Sequence, residues 1–141
     1  MSGAEQILSA EREHGLGIRL LNHGERDRVR EVVRSFYGRS QNRLWEHLHG
    51  CASIQDSEAW RWIGEFVGQE SCVLLFDASE ETEMFHIPTG PALHELLSQT
   101  SGFDFYVTDR RGTYPVCYND HDVLVCCGSA KEWLEAQRFG R

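Results

Sequence analysis

Apolar positions along this chain follow a helical period at first and a strand period later. Ala4–His14 reads as a first helix, with Ala4, Ile7 and Leu8 inward and Gly15 and Gly17 as stops. In Glu25–Tyr37 the residues Val29, Val32, Val33, Phe36 and Tyr37 fall at i, i+3, i+4, i+7 and i+8. That spacing predicts an amphipathic helix ending at Gly38. Leu44, Trp45 and Leu48 predict a short helix ended by Gly50. Asp56 is placed to cap a helix over Ser57–Val67, whose inward face is Ala59, Trp60, Ile63, Phe66 and Val67, with Gly68 as its stop.

The period then changes. Cys72–Phe76 is continuously apolar, as a strand covered on both faces would be. Asp77–Glu83 is an acidic connection. Phe85 and Ile87 alternate with Met84 and His86 in a second strand, and Pro88-Thr89-Gly90-Pro91 opens a helix over Pro91–Gln99. Phe103, Phe105 and Val107 alternate with Asp104, Tyr106 and Thr108, which predicts a half-buried strand. Tyr114, Val116 and Tyr118, and then Val123–Cys127, continue it as a meander through two turns. Ser129 and Glu132 make a capping-box pattern for a last helix with Trp133 and Leu134 inward. The order α-α-α-α-β-β-α-β-β-β-α predicts an α+β fold, a helical N-terminal half packed on a mainly antiparallel sheet of about five strands.

The 141 residues have the length of one domain, 1–141. By size alone such a chain buries roughly 70% of its unfolded surface, enough for a core without disulfides or metal. Seven Phe, four Trp and four Tyr exclude wholesale disorder. No apolar run approaches the roughly 18 residues of a membrane helix, and MSGAEQILSAEREH is too polar for a secretory signal. The expectation is a soluble, cytoplasmic protein without a membrane partner.

Charge sharpens that picture. Residues 1–43 carry eight Arg against six acids, whereas residues 44–109 carry one base, Arg61, against twelve acids. A belt with a net charge of −11 repels phosphates, which need Lys and Arg to replace their counterions, so nucleic acid is not an expected partner. A basic protein would be steered toward it. The five cysteines are odd in number and contain no C-x-x-C. With no secretory signal they read as reduced structural thiols, and Cys126 and Cys127 must point to opposite faces of their strand.

The common catalytic motifs are missing. There is no G-x-S-x-G, no phosphate-binding loop and no dinucleotide fingerprint, and His94-Glu95 lacks the second histidine of a zinc protease. His47 and His49 on a helix point about 200° apart and cannot share an ion, so neither metal nor cofactor is expected. The densest polar cluster is Asn119-Asp120-His121-Asp122. Asp120, His121 and Asp122 could serve as an acid–base group, yet Asn and Asp are also what a tight hairpin turn requires. Arg26, Arg30 and Arg34 form a stripe that Asp27 and Glu31 partly neutralise.

At Tyr37–Gly50 the pattern Y-G-x5-L-W-x2-L-x-G resembles a segment of the barstar family of intracellular ribonuclease inhibitors. In that family a helix and its preceding loop fill the enzyme's basic active site with acidic groups. The resemblance implies an acidic contact at Glu46 beside Trp45. It departs from the family at Asn42, where another acid is expected, and at Arg39, which is basic; it covers 14 of the 141 residues. The family's parallel-sheet layout does not fit the C-terminal meander. Size, acidity and the lack of catalytic motifs are similar to those of small immunity proteins of bacterial toxin systems. Together these point to a non-enzymatic inhibitor that binds a basic protein, such as a toxin domain, through Trp45, Glu46, Asp77, Glu80, Glu81 and Glu83. The alternatives are a small enzyme built on Asp120, His121 and Asp122, or a structural or regulatory domain.

Overall fold

The computed structural model describes residues 1–37 and 51–140, with backbone alone at Ser35, Tyr37 and 138–140. The expected helix at Leu44–Leu48, and with it Trp45, Glu46 and most of the barstar-like segment, lies outside the described residues. The helices are α1 (Gly3–His14), α2 (His23–Tyr37), α3 (Ile63–Val67, entered through a 3-10 turn at Ala59–Trp62), α4 (Gly90–Ser98) and α5 (Ser129–Gly140). The strands are β1 (Arg19–Leu20), β2 (Cys51–Gln55), β3 (Cys72–Leu75), β4 (Phe85–Ile87), β5 (Phe105–Thr108), β6 (Pro115–Tyr118) and β7 (Val123–Cys127). They form one antiparallel sheet in the order β1-β4-β3-β5-β6-β7-β2.

The fold is α+β as expected, with seven strands among the described residues instead of about five. The two additions come from the half expected to be helical. β1 has two residues and β2 reads CASIQ, so neither carries enough apolar alternation to announce itself. Each is an edge strand held by one neighbour, β4 and β7 respectively.

Helices cover both faces of the sheet. On one face Ala4, Ile7, Ile63, Leu93, Leu96 and Leu134 pack against Leu74, Phe85, Ile87, Val107, Val116 and Leu124. On the other, Val29 and Val33 of α2 pack against Val73, Leu75, Tyr106, Cys117 and Val125. Hence the continuous apolar run of β3 is buried at every position. The same cover corrects the expectation of a half-buried strand at Phe103–Val107. Tyr106 and Thr108 are as buried as Phe105 and Val107, Tyr106 in the cluster that includes Val29 and Val33 of α2. In α1 the inward residues are Ala4, Ile7 and Ala10, while Leu8 is exposed.

Two further features position the site. A Cβ on Gly90 would stand 2.1 Å from the Gly64 carbonyl oxygen, so α3 and α4 meet backbone to backbone. Only glycine permits that approach. It brings α4 beside the 3-10 turn, where Trp60 stacks on His94 at 5.7 Å between ring centres. The second feature corrects the cysteine reading. Register sets Cys51 of β2 opposite Cys127 of β7, and the two form a disulfide across 76 residues. Local spacing cannot report a partner that only strand pairing supplies. Cys72, Cys117 and Cys126 are buried thiols, and burial pushes Cys72 and Cys126 up to about 12.

Candidate functional site

Antiparallel pairing brings the end of β3, the start of β5, the end of β6, the start of β7 and the end of β2 to one edge of the molecule. Each of these strand ends is bordered by an aspartate. Asp77 follows β3, Asp104 precedes β5, Asp120 lies just beyond β6, Asp122 precedes β7 and Asp56 follows β2. The Asp56 N–H bonds to the Asp122 carbonyl at 2.9 Å, and the Asp120 N–H to Asp104 Oδ1 at 2.7 Å. A row of carboxylates therefore crosses the sheet end.

Its members differ in what holds them. Asp77 is only 1% exposed and accepts the Tyr106 hydroxyl at 3.0 Å. This corrects its expected place on an exposed partner-binding loop: strand β3 ends pointing it inward, where the phenol satisfies it. Glu81 accepts the Glu83 N–H and Glu83 pairs with Arg26 at 3.0 Å, so both are engaged within the fold. Glu80 is exposed. Its carboxyl is raised from the usual range by partial burial, then by repulsion from Asp77, Asp104 and Asp120. Asp104 is raised chiefly by burial, with Asp120 and Asp77 repelling it and the Asp120 N–H and His121 opposing the shift. The structure thus joins two groups far apart in the chain, the 77–83 connection and the 120–122 turn.

The turn itself is organised by Asn119, which is buried. Its side-chain oxygen accepts the N–H groups of His121 (2.9 Å) and Val123 (3.2 Å), while its own N–H bonds the Val123 carbonyl. Asp122 takes the left-handed position at φ 59°, which aspartate tolerates better than most residues. His121 lies 3.5 Å from Asp120 and both are largely exposed. The hydroxyl of Tyr118 donates to Asp122 Oδ1 at 2.9 Å, with the Asp56 carbonyl at 3.2 Å as a second acceptor. Burial, then Asp122, pushes its phenol well above the ordinary tyrosine value.

Beside the row lies a cavity of about 350 Å³. Trp60, Phe103, Phe105 and Tyr118 wall it, Ser57 and Ser101 add hydroxyls, and Asp120 and Asp122 border it. Sequence reasoning missed Asp56, Asp104, Trp60, Phe103 and Tyr118 as site residues. The available signal was an aspartate within two residues of five of the seven strand ends on this side. Among the described residues no three His, Cys, Asp or Glu side chains are placed to hold a metal ion. No helix among them is long and apolar enough to cross a membrane.

Comparison of the chain with family models, with curated proteins and with solved structures returns no match.

Proposed function

We propose that this chain is a non-enzymatic protein-binding domain that holds a basic partner against the acidic end of its sheet. The observation that carries this reading is the gathering of Glu80, Asp104 and Asp120 at one sheet end, with the Asp120 N–H bonded to Asp104. Burial first, and neighbouring carboxylates second, raise Glu80 and Asp104 there. Like charges kept together raise the free energy of the unbound state, and a cationic surface relieves them. The immunity-type form of the function, occlusion of a toxin's basic active site, is the one the sequence resemblance favours. It adds Trp45 and Glu46 to the contact. The same charge disfavours nucleic acid as a partner.

An enzymatic reading has the cavity beside Asp120 and Asp122 in its favour. It is the weaker one, because His121 pairs with Asp120 in solvent and Asp122 is engaged by Tyr118. A general acid or base works best held against its substrate in a shielded site.

Immunity genes accompany their toxins, so the test is association with the product of the gene immediately upstream. Glu80→Lys with Glu81→Lys is expected to slow that association at least tenfold at low salt, the effect shrinking as ionic strength rises. Folding should be nearly unchanged by the change at the exposed Glu80. Loss of the Glu81 acceptor for the Glu83 N–H should cost about 1 kcal/mol, so Glu80→Lys alone serves as the fold-neutral control. An unchanged association rate removes the acidic end from the interface. Absence of any complex with the wild-type chain overturns the immunity reading.

A further inference from the structure

We propose that the cavity beside the carboxylate row is a guanidinium pocket, the receptor for one arginine side chain of the basic partner. This rests on the partner-binding reading above and names the group that the site takes. Three observations lead there.

The first is size. About 350 Å³ is near the lower limit of ligand cavities, too small for a folded peptide segment and sufficient for one long side chain with accompanying water. The second is the wall. Trp60 lines the cavity but already carries His94 stacked on its ring and Arg61, whose guanidinium carbon lies 4.7 Å from its ring centre. The guest's cation–π contact therefore falls to the other aromatics of the wall. Phe103, Phe105 and Tyr118 complete an aromatic lining, with Phe103 and Phe105 6.0 Å apart edge to face and Phe105 and Tyr118 6.2 Å apart. Ring faces attract cations, and most strongly where water is excluded. The third is the border. Asp120 and Asp122 stand on one turn that Asn119 holds from beneath. Asp122 gives Oδ1 to Tyr118 and, as a carboxylate with two oxygens, keeps acceptor capacity for an incoming donor.

Arginine fits these three better than lysine. Its guanidinium is planar, weakly hydrated and forked, so one face can lie on an aromatic ring while its N–H groups reach carboxylates. An ammonium is a compact, strongly hydrated charge that loses more on entering an aromatic cavity. A neutral apolar side chain would leave two carboxylates facing an uncharged guest.

The probe is N-acetyl-arginine N-methylamide, titrated into the full chain and followed by amide and indole NMR shifts. The expected result is saturable shifts at the Trp60 indole and at the amides of Ser101, Gly102 and Asp120–Asp122. The citrulline analogue, with the same shape and no charge, should give none. Asp120→Asn with Asp122→Asn keeps the side-chain oxygens and should weaken binding at least tenfold. Ser101→Phe should abolish it by filling the cavity; Ser101 holds Gln6 through its backbone groups, so the fold tolerates the change. Non-saturable shifts, equal binding of citrulline, equal binding of the lysine analogue, or shifts centred on Glu80 and Glu81 would each overturn the pocket.

Failure of the pocket is separable from failure of the function. With the upstream product, Ser101→Phe should leave the association rate unchanged and speed dissociation at least tenfold. An unchanged dissociation rate removes the arginine pocket and leaves the acidic interface standing. Should no complex form, the free arginine probe still decides for or against the pocket.

Discussion

Two clusters of titratable groups lie at opposite parts of the sheet, and their carboxylates shift in opposite senses. On the α2 side of β1 and β4, Glu25 receives Arg19 at 3.3 Å, Arg110 at 2.8 Å and the Asn22 N–H at 3.0 Å. These hold its carboxyl down at about 2, the Arg19 bond most strongly. Burial, then Arg19 and Arg110, lowers His86 beside them. At the other end burial, and after it the neighbouring carboxylates, raise Asp104 and Glu80. The first cluster closes the fold on itself, joining α2, β1, β4 and the 109–112 turn. The second leaves like charges adjacent and beside a cavity. The first cluster neutralises its own charge, whereas the second keeps an excess, which the proposed basic partner would offset.

The largest effect should come from loosening the β2 edge of the sheet while leaving the β4 edge untouched. Reducing Cys51–Cys127 opens a 76-residue loop and is expected to lower stability by about 4 kcal/mol, read from urea unfolding with and without dithiothreitol. Amide exchange should quicken in β2 and around Asp56, with β4 little affected. Equal quickening in both would mean that the ends are not independent.

Next in size is removal of the turn's support. Asn119→Ala deletes the acceptor of two N–H groups in a buried position and should cost about 2 kcal/mol. It should also abolish binding of the arginine probe, because Asp120 and Asp122 lose their placement. Intact probe binding in the folded variant would show that the turn's geometry is not what presents them.

The smallest effect is the most discriminating. Asp104→Asn keeps an oxygen for the Asp120 N–H and removes a charge that its neighbours repel. At pH 7 it should stabilise the chain by about 0.5 kcal/mol, a value limited by solvent screening. The sign follows from linkage. With its carboxyl raised on folding, Asp104 lowers stability as pH climbs through and above the ordinary carboxylate range, so the gain disappears at acid pH. Glu25→Gln should behave in reverse. The lowered carboxyl of Glu25 contributes stability above its ordinary value, and that contribution is lost as pH falls from there toward about 2. Parallel pH profiles for the two variants would erase the distinction between the clusters.

Much of the fold was legible because helices and central strands are local patterns. The 3.6-residue recurrence at Val29, Val32, Val33 and Phe36 marks α2, and CVLLF declares a strand buried on both faces. The capping oxygen of Thr89 and the positive φ at Gly68 place helix ends where local chemistry puts them. Excess acidity and the tight turn at Asn119–Asp122 were likewise readable from composition and residue type. Edge strands β1 and β2 were not, since their pairing partners lie 60 or more residues away and their own side chains are mixed. The same holds for the Cys51–Cys127 bond, for the burial of Asp77 under Tyr106, and for the cavity between α4, the 3-10 turn and the 119–122 turn. An aspartate beside a strand is a local fact. That five of them stand in one row is a property of register, which arises from long-range pairing and cannot be carried by any short stretch of chain.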